Sequence, residues 1–212
     1  VNAVHETDPE RARRACPRHD STDEAGGAPY WEIPPPGKPY VVPERDRDGD
    51  VWDPRWPVAS VSWHDAEAYA AWKRSLDGRS WALPSEQQWE KAARGVDGRV
   101  FPWGDGFDAT LCKMRDSRAG RSLPEPVGAF PADVSVYGVR DMAGGNRDWC
   151  AEATYSGDPS RRPVRGGSWF SSPRLCRVTN RVGNEPWCVL SNYGFRLACA
   201  LPCPSPGGAS PP

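Results

Sequence analysis

Two stretches of the chain repeat apolar residues at helical spacing. In "HDAEAYAAWKRSL", Ala66, Tyr69 and Ala70 fall on one face. Ser62 and Asp65, three residues apart at its start, fit a capping box, in which each side chain accepts the other's backbone N–H. Gly78, in "DGR", ends this helix. The second stretch is "LPSEQQWEKAARG", Leu83 to Gly95. Ser85 caps it, Gln88 completes the box, Trp89, Ala92 and Ala93 share a face, and Gly95 stops it. Before the first helix, "PVASVSW" (Pro57 to Trp63) sets Val58 and Val61 among small residues and predicts a short strand. From Phe101 onward the helical period disappears. Segments such as "FPWGDGFD", "VYGVRDMAGGNRDWC", "PVRGGSWF" and "GFRLA" predict short strands between long loops. Two helices followed by irregular β structure define an α+β class.

The two ends lack such patterns. Residues 1–56 are rich in Pro, Gly and charge, and the prolines of "EIPPPGKPYVVPERDRDGD" exclude a helix there. This segment is read as extended loop wrapping a core, or as partly disordered. "DRDGD" (Asp46, Asp48, Asp50) hints at a calcium loop, but its Gly falls one place early and no Glu follows at the right distance, so a solvated turn is preferred. The tail 201–212, "LPCPSPGGASPP", is low-complexity and reads as mobile. The organisation is thus an irregular N-terminal segment (1–56), one domain (57–200) and a tail (201–212).

Composition narrows the function classes. Hydrophobic residues make up 38% of the 212, yet 11 are Trp, which predicts a core packed around rings. At this length folding buries roughly 70% of the unfolded surface, so no disulfide staple is required. A net charge of −1 argues against binding nucleic acid by phosphate neutralisation. No apolar run approaches a membrane span. The 7 cysteines are scattered without a CxxC, and "CALPC" (Cys199, Cys203) has no second ligand pair nearby, so zinc is not expected. Buried thiols in a cytoplasmic setting are favoured, with one disulfide as an open alternative. The chain lacks an initial Met and an obvious signal pattern, so a removed leader or N-terminal segment, and hence export, stays open.

Six spaced blocks, "PVASVSWHDAEAYAAW", "WALPSEQQWEKAARG", "FPWGD", "VYGVRDMAGGNRDWC", "VRGGSW" and "GFRLA", resemble the formylglycine-generating enzyme (sulfatase-modifying factor) family in content and order. The resemblance implies a C-type-lectin-like fold with few regular elements and a tryptophan-rich interior. It also suggests that "VNA" at Val1 is what remains of a "VTN"-like stretch following a missing first hairpin. Oxidases of the family convert a sulfatase cysteine to formylglycine, using two cysteines after "GGSW" to hold copper. Soft thiolates suit copper(I), and here that segment offers Cys176, with Cys188 further on and matching no oxidase ligand. Relatives that make sulfoxides use iron and a His-rich triad, whereas His5, His19 and His64 are unclustered and His64 reads as a surface or capping residue. The family's calcium block "DMAGNVWEW" appears as "DMAGGNRDW", leaving Asn146 and Asp148 as calcium candidates beside the alternative of a hydrogen-bonded turn. No other cofactor is implied.

The stretch from Arg165 to Ala198 further resembles the rewritten segment of variable proteins from diversity-generating retroelements. Adenine-directed changes to Asn codons cannot yield Trp, Met, Lys, Gln or Glu, and between Phe170 and Tyr193 only Glu185 and Trp187 belong to that set. The resemblance implies a fixed frame of Gly166, Gly167, Trp169, Arg177, Arg181, Pro186, Gly194, Phe195 and Arg196, with Trp169 and Phe195 buried and the arginines bonding loop carbonyls. Outward-facing groups would be Phe170, Ser171, Ser172, Arg174, Leu175, Val178, Asn180, Val182, Asn184, Cys188, Val189, Leu190, Ser191 and Tyr193. For Val178 and Val189 a core position is equally open. Such a mixed apolar and polar patch suits a protein ligand. On this division Trp169→Ala costs about 3–5 kcal/mol, while Ser171→Ala and Leu190→Ala barely change the melting temperature. The function expected is therefore non-enzymatic ligand binding on a diversified surface. The alternatives are a divergent oxidase or sulfoxide synthase, or a regulatory module of a larger bacterial protein.

Overall fold

The structure, a computed structural model, describes residues 1–200 apart from 6, 36 and 46–48, with the backbone alone at Val4 and His5. Asp46, Asp48 and the tail 201–212 lie outside the described residues. The architecture is α+β, with short strands in two small sheets. Helices α1 (Asn2–His5) and α2 (Pro9–Arg14) open the chain. They are followed by α3 (Trp63–Asp77), β1 (Trp81–Ala82), α4 (Glu86–Arg94), β2 (Arg147–Trp149), β3 (Arg162–Arg165), β4 (Arg181–Asn184), β5 (Tyr193–Gly194) and β6 (Ala198–Cys199). A 3₁₀ turn spans Pro173–Cys176. The main sheet has the order β4-β3-β2-β5, antiparallel except for the parallel β2–β5 pair; β1 and β6 form the other.

Both long helices start and stop where local chemistry predicts. Ser62 and Asp65 form the complete capping box of α3, Ser85 and Gln88 that of α4, and Gly78 and Gly95 are the C-caps. The strand expected over Pro57 to Trp63 does not form. Ser60 takes φ +60°, which breaks the extended run, and only Ala59 bridges to Gly194. The carbonyls of this stretch instead accept side-chain donors: Trp149 Nε1 reaches Val61 O at 3.0 Å, and Asn146 Nδ2 reaches Val58 O at 3.2 Å.

The N-terminal segment is more ordered than its composition predicts. Asp8 caps α2 by accepting from Arg11 N at 2.9 Å, with Pro9 in the first turn where its missing N–H is harmless. Ala12, Cys16 and Tyr40 make a small core of their own, flanked by Val1 and Trp31.

Three clusters fill the interior of the remainder. The largest groups Ala66, Leu83, Trp149, Val164, Cys188 and Tyr193. A second joins Trp89 and Ala93 of α4 to Met142, Cys150 and Val178; a third holds Phe101, Cys112, Met114, Ala143 and Cys176. Of the tryptophans only Trp89 and Trp149 are sealed from solvent. Most of the others sit at seams and donate from Nε1, as Trp63 does to Cys150 O, Trp103 to Gly106 O, Trp169 to Ser191 O and Trp187 to Thr22 O. The indoles thus staple loops as much as they fill a core.

The turn entering β2 is organised by one buried carboxylate. Asp133 accepts from the backbone N–H groups of Met142, Ala143 and Gly144 at 3.1–3.3 Å. Burial nevertheless pushes its carboxyl up to about 7. Between roughly pH 4 and that value the folded chain binds more protons than the unfolded one, so stability falls as pH rises through this window. The expected outcome is a lower urea midpoint at pH 8 than at pH 5. Asp133→Asn keeps an acceptor but cannot titrate, and should flatten that difference.

Candidate functional site

The segment from Arg165 to Arg196 is anchored at its two ends by arginines. At the start, Arg165 has a side chain only 2% exposed and pairs with Glu90 of α4, while its Nη1 donates to Thr179 O and Asn180 O at 3.3 and 3.2 Å. At the end, Arg196 Nε donates to Asp148 Oδ2 at 2.6 Å, and its Nη atoms reach Arg140 O and Asp141 O at 3.2 and 2.9 Å. Gly166 adopts φ +81°, and a Cβ at Gly194 would stand 2.3 Å from Val58 O, so neither tolerates a side chain.

The rest of the expected frame behaves differently. Arg181 is exposed and binds the Glu86 carboxylate with Nε at 2.9 Å and Nη2 at 2.6 Å, not a loop carbonyl. Arg177 is exposed, and Trp169 and Phe195 are half-buried. Trp169 is wedged through its own polar edges: its O accepts from Ser122 Oγ at 2.5 Å and its Nε1 donates to Ser191 O.

The expected outward set divides. Phe170, 60% exposed, and Arg174 face solvent, while Ser172, Leu175, Asn180, Asn184 and Ser191 are half-buried. Ser171, Val178, Cys188, Val189 and Tyr193 are buried, which corrects their assignment to the surface. Val182 and Leu190 pack on the largest cluster. The reasons are local. Val178 is held under α4 by Trp89 and Met142; Cys188 packs in the cluster of Trp149, which Tyr193 meets edge-on; Ser171 Oγ accepts from Ser168 N at 2.9 Å. Val189 is covered by the N-terminal segment, which exchanges two backbone hydrogen bonds of 2.8 Å with it through Ser21. Trp187 Nε1 bonds Thr22 O and Ser191 N bonds Asp20 Oδ1 in the same strap. No periodic signal announces that cover, because it joins residues about 170 positions apart.

Neither metal set assembles from the residues present. Asp148 Oδ2 already receives Trp89 Nε1 at 2.8 Å and the Arg196 guanidinium, so a divalent cation there would face a fixed positive charge. Asn146 turns its Nδ2 toward Val58 O and leaves Oδ1 buried without a partner among the described residues. Asp148 is thus already engaged by Arg196, and among the described residues no group of three or more His, Cys, Asp or Glu gathers there. The two thiols of the segment lie in different clusters, Cys176 beside Phe101 and Met114, Cys188 beside Trp149. Burial pushes the Cys188 thiol up to about 11. Cys176 neighbours Cys112 instead; that hydrogen bond and burial push Cys112 well above the usual thiol range. This buried pair comes from two separate segments, whereas the resemblance implied two cysteines within the one segment after "GGSW". His19 is stacked on Tyr30 and His64 is exposed beside Trp63, so they share no site.

Fold and site define a loop-rich α+β module whose terminal segment is clamped by arginines and crested by a few exposed side chains. By the match of residues 41–201 to the sulfatase-modifying factor enzyme 1-like domain, the chain belongs to that family, and its fold is the C-type-lectin-like one of the formylglycine-generating type. It is 37% identical over 157 residues to the inactive C-alpha-formylglycine-generating enzyme 2 of Bos taurus, covering 68% of this chain and 50% of that protein. It is 31% identical to the formylglycine-generating enzyme of Streptomyces coelicolor, covering 87% of this chain and 65% of the enzyme. The chain thus spans about half to two thirds of the length of these relatives. Among solved structures, Treponema denticola variable protein 1 shares the fold at TM-score 0.58 and 24% identity, over 68% of this chain and 71% of that one.

The burial pattern sets a stability order. Phe170→Ala should change the unfolding free energy by less than about 0.5 kcal/mol. Ser171→Ala, which orphans the Ser168 N–H, should cost about 1–3 kcal/mol, and Val178→Ala about 2 kcal/mol. Urea denaturation of the three variants checks the order, and a Phe170 effect as large as that of Val178 contradicts it.

Proposed function

We propose that this chain is a non-catalytic, ligand-binding member of its family, presenting the crest around Phe170, Ser172, Arg174 and Leu175 to a protein partner. The observation that carries this reading is the separation of Cys176 and Cys188 into different core clusters, so the two thiols of the segment do not form a couple to hold copper. The bovine relative described as inactive supports it. The crest itself is suited to contact: Phe170 meets Trp169 edge-on at 5.8 Å, an aromatic pair beside an exposed arginine. Incubation with copper(I) and a sulfatase-type cysteine peptide should yield no aldehyde by mass spectrometry. Aldehyde formation that depends on Cys176 would overturn the reading.

Diversification by a retroelement is the finer form of this proposal, supported by the residue set between Phe170 and Tyr193 and by the fold shared with the Treponema variable protein. Packing restricts where it would act. Sequencing the DNA that flanks the gene should find a near-identical repeat of the Arg165–Ala198 coding stretch. Its adenine-linked differences should fall in codons for exposed and half-buried positions such as Phe170, Arg174 and Asn180. Differences concentrated at Val178, Cys188 and Val189 would contradict it.

A further inference from the structure

Arg147, in β2, is 6% exposed, yet no described carboxylate pairs with it and its Nη1 is buried without a hydrogen-bond partner. It stands apart from the other buried cations near the segment. Arg165 has Glu90, Lys113 has Glu125, and Arg196 has Asp148. Among the described residues no aromatic face covers it either; the rings that meet guanidinium groups do so at Arg118, Arg162, Arg165 and Arg181. A guanidinium does not shed its proton at physiological pH, and a buried charge without a counter-charge is strongly unfavourable. A counter-charge from outside the described residues would therefore stabilise this side chain.

Position adds to this. Arg147 lies alongside Tyr193 in the parallel β2–β5 pair, and its N–H donates to Asn192 O at 2.9 Å. Its guanidinium is within electrostatic reach of Tyr193 and Cys176, which belong to the two arms of the Arg165–Arg196 segment. Between those arms runs a polar chain, with Asn192 Nδ2 donating to Ser168 Oγ at 3.0 Å and Ser168 Oγ 3.0 Å from Ser171 Oγ.

We propose that the Arg147 guanidinium anchors a binding site for a single carboxylate, set under the segment that carries the crest. One fixed positive charge matches one negative charge, and the planar fork matches two oxygens. A phosphate brings more charge than one guanidinium balances, and chloride lacks the second acceptor. The carboxylate is either a free small acid or one carried by a peptide. Only the peptide source rests on the binding function proposed above.

The test uses the whole chain with sodium acetate as probe, against sodium chloride and sodium phosphate at matched ionic strength. Acetate should raise the wild-type melting temperature along a saturable curve, and the other two salts should not. In Arg147→Met, where an apolar chain replaces the charge, the acetate curve should be flat while the melting temperature in chloride equals or exceeds that of wild type. Arg147→Lys keeps the charge and loses the fork, and should need at least tenfold more acetate. Fluorescent peptides ending in a free carboxylate or an amide separate the sources: preference for the free acid assigns a peptide ligand, and binding of acetate without either peptide assigns a small acid. Equal shifts in all three salts, or an acetate shift that survives in Arg147→Met, would overturn the site. A wild type that ignores acetate would overturn it too. Peptide failure with an intact acetate response leaves the site standing and counts against the protein-binding function.

Discussion

One oxygen atom, Oδ2 of Asp148, joins three parts of the molecule. It belongs to β2, receives the indole N–H of Trp89 from α4, and receives the guanidinium of Arg196 from beyond β5. Asp148 is nearly sealed from solvent, so these bonds act in a medium where charge-assisted hydrogen bonds are strong and an unpaired partner is costly. Removing Arg196 would leave Asp148 as a buried negative charge without its counter-charge, and removing Trp89 would take one hydrogen-bond donor from it. Because Arg196 also holds Arg140 O and Asp141 O, the same contact fixes the turn that Asp133 organises from the other side. A sheet with strands of two to four residues has little ladder to stabilise it, and this polar knot supplies the registration that the strands lack.

The segment between the two anchoring arginines is consequently less free than a decorated loop. It contributes Cys176 to one cluster, Val178 to a second, and Cys188 and Tyr193 to a third. It runs through the interior as a spine and emerges only at Phe170–Arg174 and around Arg177–Arg181. The N-terminal strap then closes over Trp187–Ser191. A frame made only of the glycines, Trp169 and the arginines would leave these clusters open. On the function proposed above, variation and partner contact would fall at the crest, where Phe170 and Arg174 reach solvent.

Much of this was readable from residues close in sequence. The capping boxes of α3 and α4 each involve residues three apart, so their signals survive whatever the tertiary environment does. The start of α2 is equally local, with Asp8 as its cap, Pro9 at the first helical position and Glu10 in the first turn. Other features were not local. The strand expected at Pro57–Trp63 was lost to the left-handed turn at Ser60, whose neighbours' carbonyls take donors from Asn146 and Trp149, nearly 90 residues away. The "GGNRDW" block looked like a weakened calcium loop, because the cation that occupies Asp148 is an arginine 48 residues further on.

The sequence alone determined the class, the ends of both long helices and the membership of a family, since these rest on short-range chemistry and on motif order. The tertiary structure alone decided which residues of the Arg165–Ala198 stretch face water. In strands this short, two-residue alternation does not persist long enough to assign a face. Burial is then set by what packs against each position, and those partners, Trp89, Trp149 and Ser21, come from three distant parts of the chain.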